Sequence, residues 1–320
     1  MTDKAPAAVL HPHSGHPYSG SSRWQRAALV VNTRSRKGAR LFQAARDQLA
    51  AVGVPLVLAV AQRQPARMAG DLRRALAAGA DLLIVGGGDG SVSGAAATLR
   101  GQGCVFAPLP LGTANSFVRT LGMGTRVEDA VAAIAGGRTA MIDLCEINGH
   151  VFANSASLGL SPLIGDTIPP RLKRWLGRLG YLVWAARAMA LFRPFRVGVE
   201  HAGERRDYWA TEVRMLNGNH VGGVRLSEEA RLDNGTITLQ IVTGRSRWRL
   251  ALDWYCRILW LPGWAGEYVS DVVEFQGTRF HIETWPKQDV SIDGEVLTRT
   301  PFDLVVHPRA LEVVVPCDEP

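Results

Sequence analysis

Between residues 26 and 137, short continuous apolar runs alternate with longer stretches whose apolar residues recur at helical spacing. That alternation limits the fold more than any other feature of the chain. The runs "AALVVN" (27–32), "PLVLAV" (55–60), "DLLIV" (81–85) and "CVFAPLP" (104–110) read as strands. A run such as 27–32, with no polar residue alternating in it, reads as a strand buried on both faces. The stretches 38–53, 66–79 and 127–137 read as helices, and each ends on glycine, the residue that most readily takes a left-handed stop. Strand and helix in turn imply a layered α/β domain around a mostly parallel sheet.

The pattern changes near residue 139. "TAMIDLCEI", then Asn148-Gly149, then "HVFANSA" predicts a hairpin around a tight turn. Short strands are predicted at 196–201, 209–216, 230–242, 279–284, 289–297 and 303–316, which makes the second part antiparallel and β-rich. Two helical stretches interrupt it, at about 170–192 and 246–261. With 320 residues the chain is too long for one ordinary core, so two domains are expected.

Composition narrows function only a little. A formal charge of +7 suits an anionic partner: a nucleotide, a nucleic acid or a membrane surface. Cys104, Cys145, Cys256 and Cys317 lie far apart, with neither metal-ligand spacing nor a disulfide framework, which suits a reducing cytoplasm. The best candidate for a membrane span, 181–192, is short and contains Arg187. Residues 1–22, rich in His, Pro, Ser and Gly, read as a disordered tail rather than a secretory signal.

The chemistry concentrates in "DLLIVGGGDGS" (81–91). A parallel strand delivers its following turn to the carboxyl edge of the sheet, where α/β folds bind ligands. Glycines there let backbone amides approach a ligand closely, and successive amides form a nest for phosphate oxygens. A helix over roughly 91–100 would add its positive end, with Ser91 as its cap or as a donor to phosphate. Asp89 would repel phosphate unless a cation such as Mg²⁺ stands between them. Gly87, Gly88, Gly90 and Ser91 therefore read as a nucleoside triphosphate site, with Asp89 metal-linked or acting in proton transfer. The competing reading is a structural turn in which Asp89 caps a helix.

Two further strand-to-helix turns point to the same edge. "VVNTRSRKG" (30–38) offers Asn32 and Ser35 to phosphate, with charge from Arg36 or Lys37. "PLPLGTANSF" (108–117) offers Gly112, Thr113 and Asn115. Each alone is ordinary turn chemistry; three at one end of a sheet are much harder to assign to coincidence.

In that order and spacing, "VNTRSRKG", "GGGDGS" and "PLGTANSFVRTLG" resemble the diacylglycerol kinase catalytic-domain family, which includes bacterial lipid kinases, sphingosine kinases and ceramide kinases. "FANSASLGLS" (152–161), "ARLDNGTITLQIV" (230–242) and "SIDGEVL" (291–297) look like its later signatures, so the resemblance covers roughly 26–316. With the tail taken as 1–25, it implies an N-terminal α/β nucleotide-binding domain over 26–142 with 303–317 returning to it, and a C-terminal antiparallel β-sandwich for the lipid over 143–302. It implies ATP held between the domains by Asn32, Ser35, Gly87 to Ser91 and Thr113, Asp89 near Mg²⁺ and the transferred phosphate, and Glu295 as general base. A second, structural Mg²⁺, held by some members, would fall on Asn234. The chain departs from the family's usual acids at Ser116, Asn234 and Ser161.

The resemblance thus implies ATP- and Mg²⁺-dependent phosphorylation of a hydroxyl on a membrane lipid, diacylglycerol or a sphingoid-type base. The enzyme would be cytoplasmic and peripheral to the inner membrane face. Basic, tryptophan-containing stretches at 169–196 and 245–266 fit helices lying on an anionic membrane, or helices packed on the sandwich with solvated arginines. NAD kinases share the Gly-Gly-Asp-Gly turn, and the departures also fit a catalytically silent, nucleotide-responsive membrane-binding protein; both alternatives stay open. A homodimer stays open too. A nucleic-acid partner is disfavoured, because the charge is spread and no recognition motif appears.

Overall fold

The computed structural model describes residues 23–33, 36–159, 192–244 and 272–317. The predicted tail over 1–22, Ser35, Ser161 and nearly all of the helices predicted at 170–192 and 246–261 lie outside these residues.

The first part alternates as expected: β1 (Ala27–Asn32), α1 (Arg36–Ala51), β2 (Leu56–Gln62), α2 (Met68–Ala77), β3 (Leu82–Gly87), α3 (Asp89–Leu99), β4 (Val105–Pro110), α4 (Ser116–Thr120) and α5 (Val127–Gly136). Its strands pair in parallel in the order β2-β1-β3-β4. β3 and β4 are buried along their whole length and β1 all but its last residue, as strands covered on both faces must be. The chain leaves β1 to one side for β2 and returns to the other side for β3. The strand order therefore reverses between β1 and β3, and a crevice opens beyond their carboxyl ends. Asn32 and Gly87 are the last residues of those two strands.

The second part comprises β5 (Thr139–Ile147), β6 (His150–Phe152), β7 (Ser155–Gly159), β8 (Phe195–His201), β9 (Glu204–Leu216), β10 (His220–Val221), β11 (Val224–Arg225), β12 (Ile237–Thr243), β13 (Val272–Gly277), β14 (Arg279–Trp285), β15 (Asp289–Ile292), β16 (Glu295–Arg299) and β17 (Phe302–Val314). These strands pair antiparallel with one another. The molecule is thus an α/β layer with parallel strands followed by an antiparallel β-sandwich.

One long strand joins the two. Phe302, Leu304 and Val306 of β17 lie in the sandwich core with Phe152, Phe195 and Phe280, while Leu311 and Val313 lie in the first core with Leu29, Ile84 and Phe106. β17 is antiparallel to β14 at one end and meets β4 in parallel at Val313 and Phe106. β5 accompanies it throughout, with a register shift between His307 and Leu311. Arg309 takes a left-handed φ of 50° at that break. The buried Asp143 holds it, accepting the Arg309 N–H at 2.8 Å and the Gly235 N–H at 2.6 Å.

Three expectations change. The strand expected over 230–242 begins only at Ile237; residues before it form a turn whose Leu232 carbonyl accepts the Asp143 N–H at 2.6 Å. The single strand expected over 289–297 is a hairpin, β15 and β16 about a turn in which Asp293 and Gly294 have φ of 45° and 89°. A hairpin turn with an exposed acid is the competing reading of Asp293-Gly294-Glu295 in the sequence, since Asp-Gly favours it, and the structure adopts that turn. Finally, α3 starts at Asp89 with Gly88 as its cap, so Ser91 lies within the first turn and does not cap the helix.

Because β17 carries the sandwich core into the first layer, Phe302→Ala is expected to destabilise the protein by about 3–5 kcal/mol. Urea unfolding should show this as a lowered midpoint with an unchanged slope; a midpoint near wild type would contradict the packing described.

Candidate active site at the glycine turn

At the crevice between β1 and β3, the Asn32 amide donates to Ser91 Oγ at 3.2 Å. That bond ties the end of β1 to the first turn of α3. Gly87 must lack a side chain here, because a Cβ would stand 2.6 Å from Ser91 Oγ. The third loop folds onto the second at backbone contact: a Cβ on Gly112 would lie 2.8 Å from Gly88 Cα. Asn115, buried and left-handed at φ 48°, closes this loop by accepting the Gly112 N–H on Oδ1 at 2.8 Å. Thr113 is exposed at the loop's tip.

The structure therefore brings Asn32, Gly87, Gly88, Asp89, Gly90, Ser91, Gly112, Thr113 and Asn115 to one edge of the parallel sheet. Ser35 lies outside the described residues, as do the side chains of Arg36 and Lys37, whose backbone opens α1. Asn234 belongs elsewhere. It sits in the turn before β12, beside Asp143, and its side chain accepts the Thr236 N–H at 3.1 Å.

Asp89 is half-buried, and its carboxylate accepts the Phe117 N–H at 3.3 Å. Burial pushes its carboxyl above the ordinary range, against the pull of bonds from Phe117 and Ser116. Ser116 also accepts the Gly223 N–H at 3.3 Å, so the third loop is fastened to the sandwich as well as to Asp89. Thr120 and Asn154 add to that fastening: their side-chain oxygens lie 3.1 Å apart, and the Asn154 amide donates to the His220 carbonyl at 2.8 Å.

The sandwich sends one acid to the turn. The β15–β16 hairpin tip is lashed to the bend before β7 by Asp293, whose backbone N–H donates to the Ser155 carbonyl at 2.9 Å. Its carboxylate accepts the Ser155 N–H at 2.8 Å and the Ala153 N–H at 3.3 Å. Two residues on, Glu295 reaches the start of α3. A Cβ on Gly90 would lie 2.6 Å from Glu295 Oε1, so the glycine is what lets the carboxylate approach the backbone. Beside this contact is a hollow of about 240 Å³ between α3 and the β5–β6 and β15–β16 hairpins.

Asp293 was visible in the sequence only as half of an Asp-Gly turn; its other role needs the tertiary structure. Burial raises its carboxyl to about 6, and the charge of Asp89 adds to the rise, while the two amides and the neighbouring Ser93 hydroxyl oppose it. The Ser93 hydroxyl lies beside this carboxylate and finds no other partner. Among the described residues, no group of three or more His, Cys, Asp or Glu forms a protein-only metal cage. Asp89 and Asp293 still stand near enough that the charge of Asp89 disfavours that of Asp293. That donor set fits Mg²⁺, which keeps several waters and asks a protein for one or two carboxylates.

A carboxyl raised on folding stabilises the fold only while it is protonated. Asp293 should therefore withdraw stability as pH rises from its ordinary value of 3.8 to about 6, with no further change above that. Urea stability measured across this window should fall more steeply for wild type than for Asp293→Asn. Parallel curves would show that the buried carboxyl does not titrate as described.

Comparison with known proteins adds the remaining information. Residues 26–147 match the diacylglycerol kinase catalytic domain family, and residues 156–315 match the YegS C-terminal NAD kinase beta sandwich-like domain. A probable lipid kinase YegS-like of Pseudomonas aeruginosa is 33% identical over 267 residues, covering 78% of this chain and 83% of that protein. One from Cronobacter sakazakii is 30% identical over 248 residues, covering 76% and 80%. The crystal structure of a putative diacylglycerol kinase from Bacillus anthracis superposes with a TM-score of 0.76 over 93% of this chain and 97% of that one; at 23% identity it speaks for the fold alone. With both halves matched in order and two curated relatives at 30% identity or more, the chain belongs to the diacylglycerol kinase catalytic-domain family, with the YegS-like lipid kinases, and is a kinase.

Proposed function

We propose that this kinase transfers the γ-phosphoryl group of ATP, with Mg²⁺, to a hydroxyl of a membrane lipid of the diacylglycerol or sphingoid-base class. The observation that carries the reading is the contact of Glu295, from the sandwich, with Gly90 at the start of α3. A proton acceptor supplied by one layer meets an amide-rich turn supplied by the other.

In this reading, amides of Gly87, Gly88 and Gly90 hold phosphate oxygens, and Asn32, Ser91 and Thr113 add side-chain donors. Ser35, Arg36 and Lys37 would complete the phosphate contacts from the first loop. Asp89 and Asp293 would hold Mg²⁺, which when bound neutralises phosphate charge. The lipid oxygen attacks the γ-phosphorus as the bond to the bridging oxygen of ADP breaks. Glu295 takes the proton that the hydroxyl loses. The rest of the catalysis is positioning, for which the mutual fastening of the loops is suited. The domain limits at 142/143 and 302/303 serve the same reading, with β5 and β17 crossing between the layers.

A lipid acceptor means work at a membrane surface, with the cytoplasmic face proposed. No helix among the described residues is long and apolar enough to cross a membrane. Peripheral contact would fall to the basic, tryptophan-bearing stretches at 169–196 and 245–266, which lie almost wholly outside the described residues. The match of residues 156–315 to an NAD kinase-like sandwich keeps a nicotinamide dinucleotide acceptor as the second reading.

Incubation with ATP, Mg²⁺ and a panel of lipids, followed by mass spectrometry, is expected to show one lipid class gaining a phosphate. Phosphorylation of NAD alone would replace the lipid reading, and no product despite ATP binding would favour a silent protein. Asp89→Ala is expected to abolish turnover while the unfolding midpoint stays near wild type. Glu295→Gln is expected to lower kcat about 10²–10⁴-fold with ATP affinity little changed. Loss of ATP affinity alone would remove Glu295 from proton transfer.

A further inference from the structure

The β10–β11 hairpin stands apart from the main sheet, as two strands of two residues each. A lone strand pair is marginal by itself, so its surroundings must hold it. They do. The His220 N–H donates to Thr120 Oγ1 at 3.3 Å, the Asn154 amide donates to the His220 carbonyl at 2.8 Å, and the Leu226 N–H donates to the Asn219 carbonyl at 2.8 Å. What the hairpin carries is a poor choice for stability alone. His220 and Arg225 face each other across it. Arg119, from α4, runs past its tip: a Cβ on Gly223 would lie 3.9 Å from Arg119 Nε, which donates to the Ala114 carbonyl at 3.2 Å. Two guanidinium groups and an imidazole thus share one small hairpin, and like charges set opposite each other weaken a strand pair.

A second observation marks the same cluster. Arg225 Nε is buried and has no hydrogen-bond partner. Elsewhere on the sandwich arginines meet acids, Arg196 with Asp207 at 2.7 Å and Arg205 with Glu283 at 2.9 Å. Among the described residues, no carboxylate pairs with Arg119, His220 or Arg225. A cation that is partly desolvated and unpaired is costly, and an anion seated beside it offsets that cost. Burial, with the charges of Arg119 and Arg225 behind it, holds the His220 imidazole below its ordinary range. Its Nδ1 donates to Oδ1 of the buried Asn219 at 2.7 Å, which leaves Nε2 to take up a proton.

We propose that this cluster binds a phosphate group, free or on a lipid head, at a site separate from the glycine turn. Arg225 and Arg119 supply guanidinium forks, whose paired N–H groups match the oxygens of a phosphate. His220 takes a proton from solvent on Nε2 as the anion arrives. The bound phosphate turns repulsion within the hairpin into attraction. It also braces the third loop, because Arg119 reaches the Ala114 carbonyl and the Gly223 N–H at the hairpin tip reaches Ser116. The site stands whether or not the acceptor of this kinase is a lipid.

The test titrates inorganic phosphate into the full chain by calorimetry and thermal unfolding, with excess ADP and Mg²⁺ present so that the glycine turn is not the site being read. Phosphate is expected to bind wild type and raise its thermal midpoint. Arg225→Gln is expected to match or exceed the wild-type midpoint without phosphate, leave the ATP Kd within about twofold, and weaken phosphate at least about tenfold. Sulfate keeps one charge between mildly acidic and neutral pH. It should bind wild type more tightly as pH falls, because the anion favours the protonated imidazole, and His220→Gln should lose that dependence. Vesicles of phosphatidylcholine with and without phosphatidic acid separate the two sources. A preference for phosphatidic acid that Arg225→Gln loses assigns the site to a lipid head group; phosphate binding with no such preference assigns it to a soluble phosphate. Equal phosphate affinity in wild type and Arg225→Gln, or no binding to either, overturns the proposal. Binding seen only when ADP is absent places the anion at the glycine turn and overturns it too.

Discussion

The position of Glu295 rests on a buried carboxylate two residues before it. Asp293 bonds to both sides of Ser155 and to the Ala153 amide, so a hairpin at the end of the sandwich cannot swing away from the bend that precedes β7. Without those bonds the turn would be an exposed surface hairpin, and its glutamate would sample solvent. With them, the carboxylate of Glu295 meets the backbone of Gly90 across the gap between layers. The cost is a carboxyl that resists ionising near another acid, Asp89. A bound cation would offset that repulsion, in keeping with the chemistry proposed for the site.

A similar device holds the two layers in register. Asp143 accepts amides from the break in β17 and from the turn before β12, and its own N–H reaches Leu232. β17 can therefore change partners, from β14 in one core to β4 in the other, with the Arg309 amide still paired at the break. The third loop is fastened from both sides too, through Asp89 and through Gly223. Movement of either layer would disturb the loop that folds over the glycine turn. Nucleotide and acceptor would then be coupled through packed contacts rather than through a flexible linker.

Much of the first layer was legible along the chain. β1, β3 and β4 are buried on both faces, so their residues are apolar without alternation, and α1, α2 and α5 each give way to a left-handed glycine, Gly53, Gly79 and Gly137. The glycine turn was equally plain, because few other uses need three consecutive glycines after a buried strand. The sandwich was harder to read. The arms of the β15–β16 hairpin join in one apolar pattern, and β13, exposed on alternate residues at an edge, escaped notice. Ser91 looked like a cap because serine usually is one; the helix begins two residues earlier, and its hydroxyl turns to Asn32 instead.

The order of strands, the three loops and the chemical character of each follow from residues close together in the chain, since periodicity and turn preference are local properties. Which loops touch, which acid is buried and which glycine admits a distant carboxylate depend on segments far apart in sequence. Asp293 and Asp89 stand more than two hundred residues apart, yet the charge of one helps set the proton affinity of the other. Electrostatic coupling and steric room act through space rather than along the backbone, so only the folded chain could decide them.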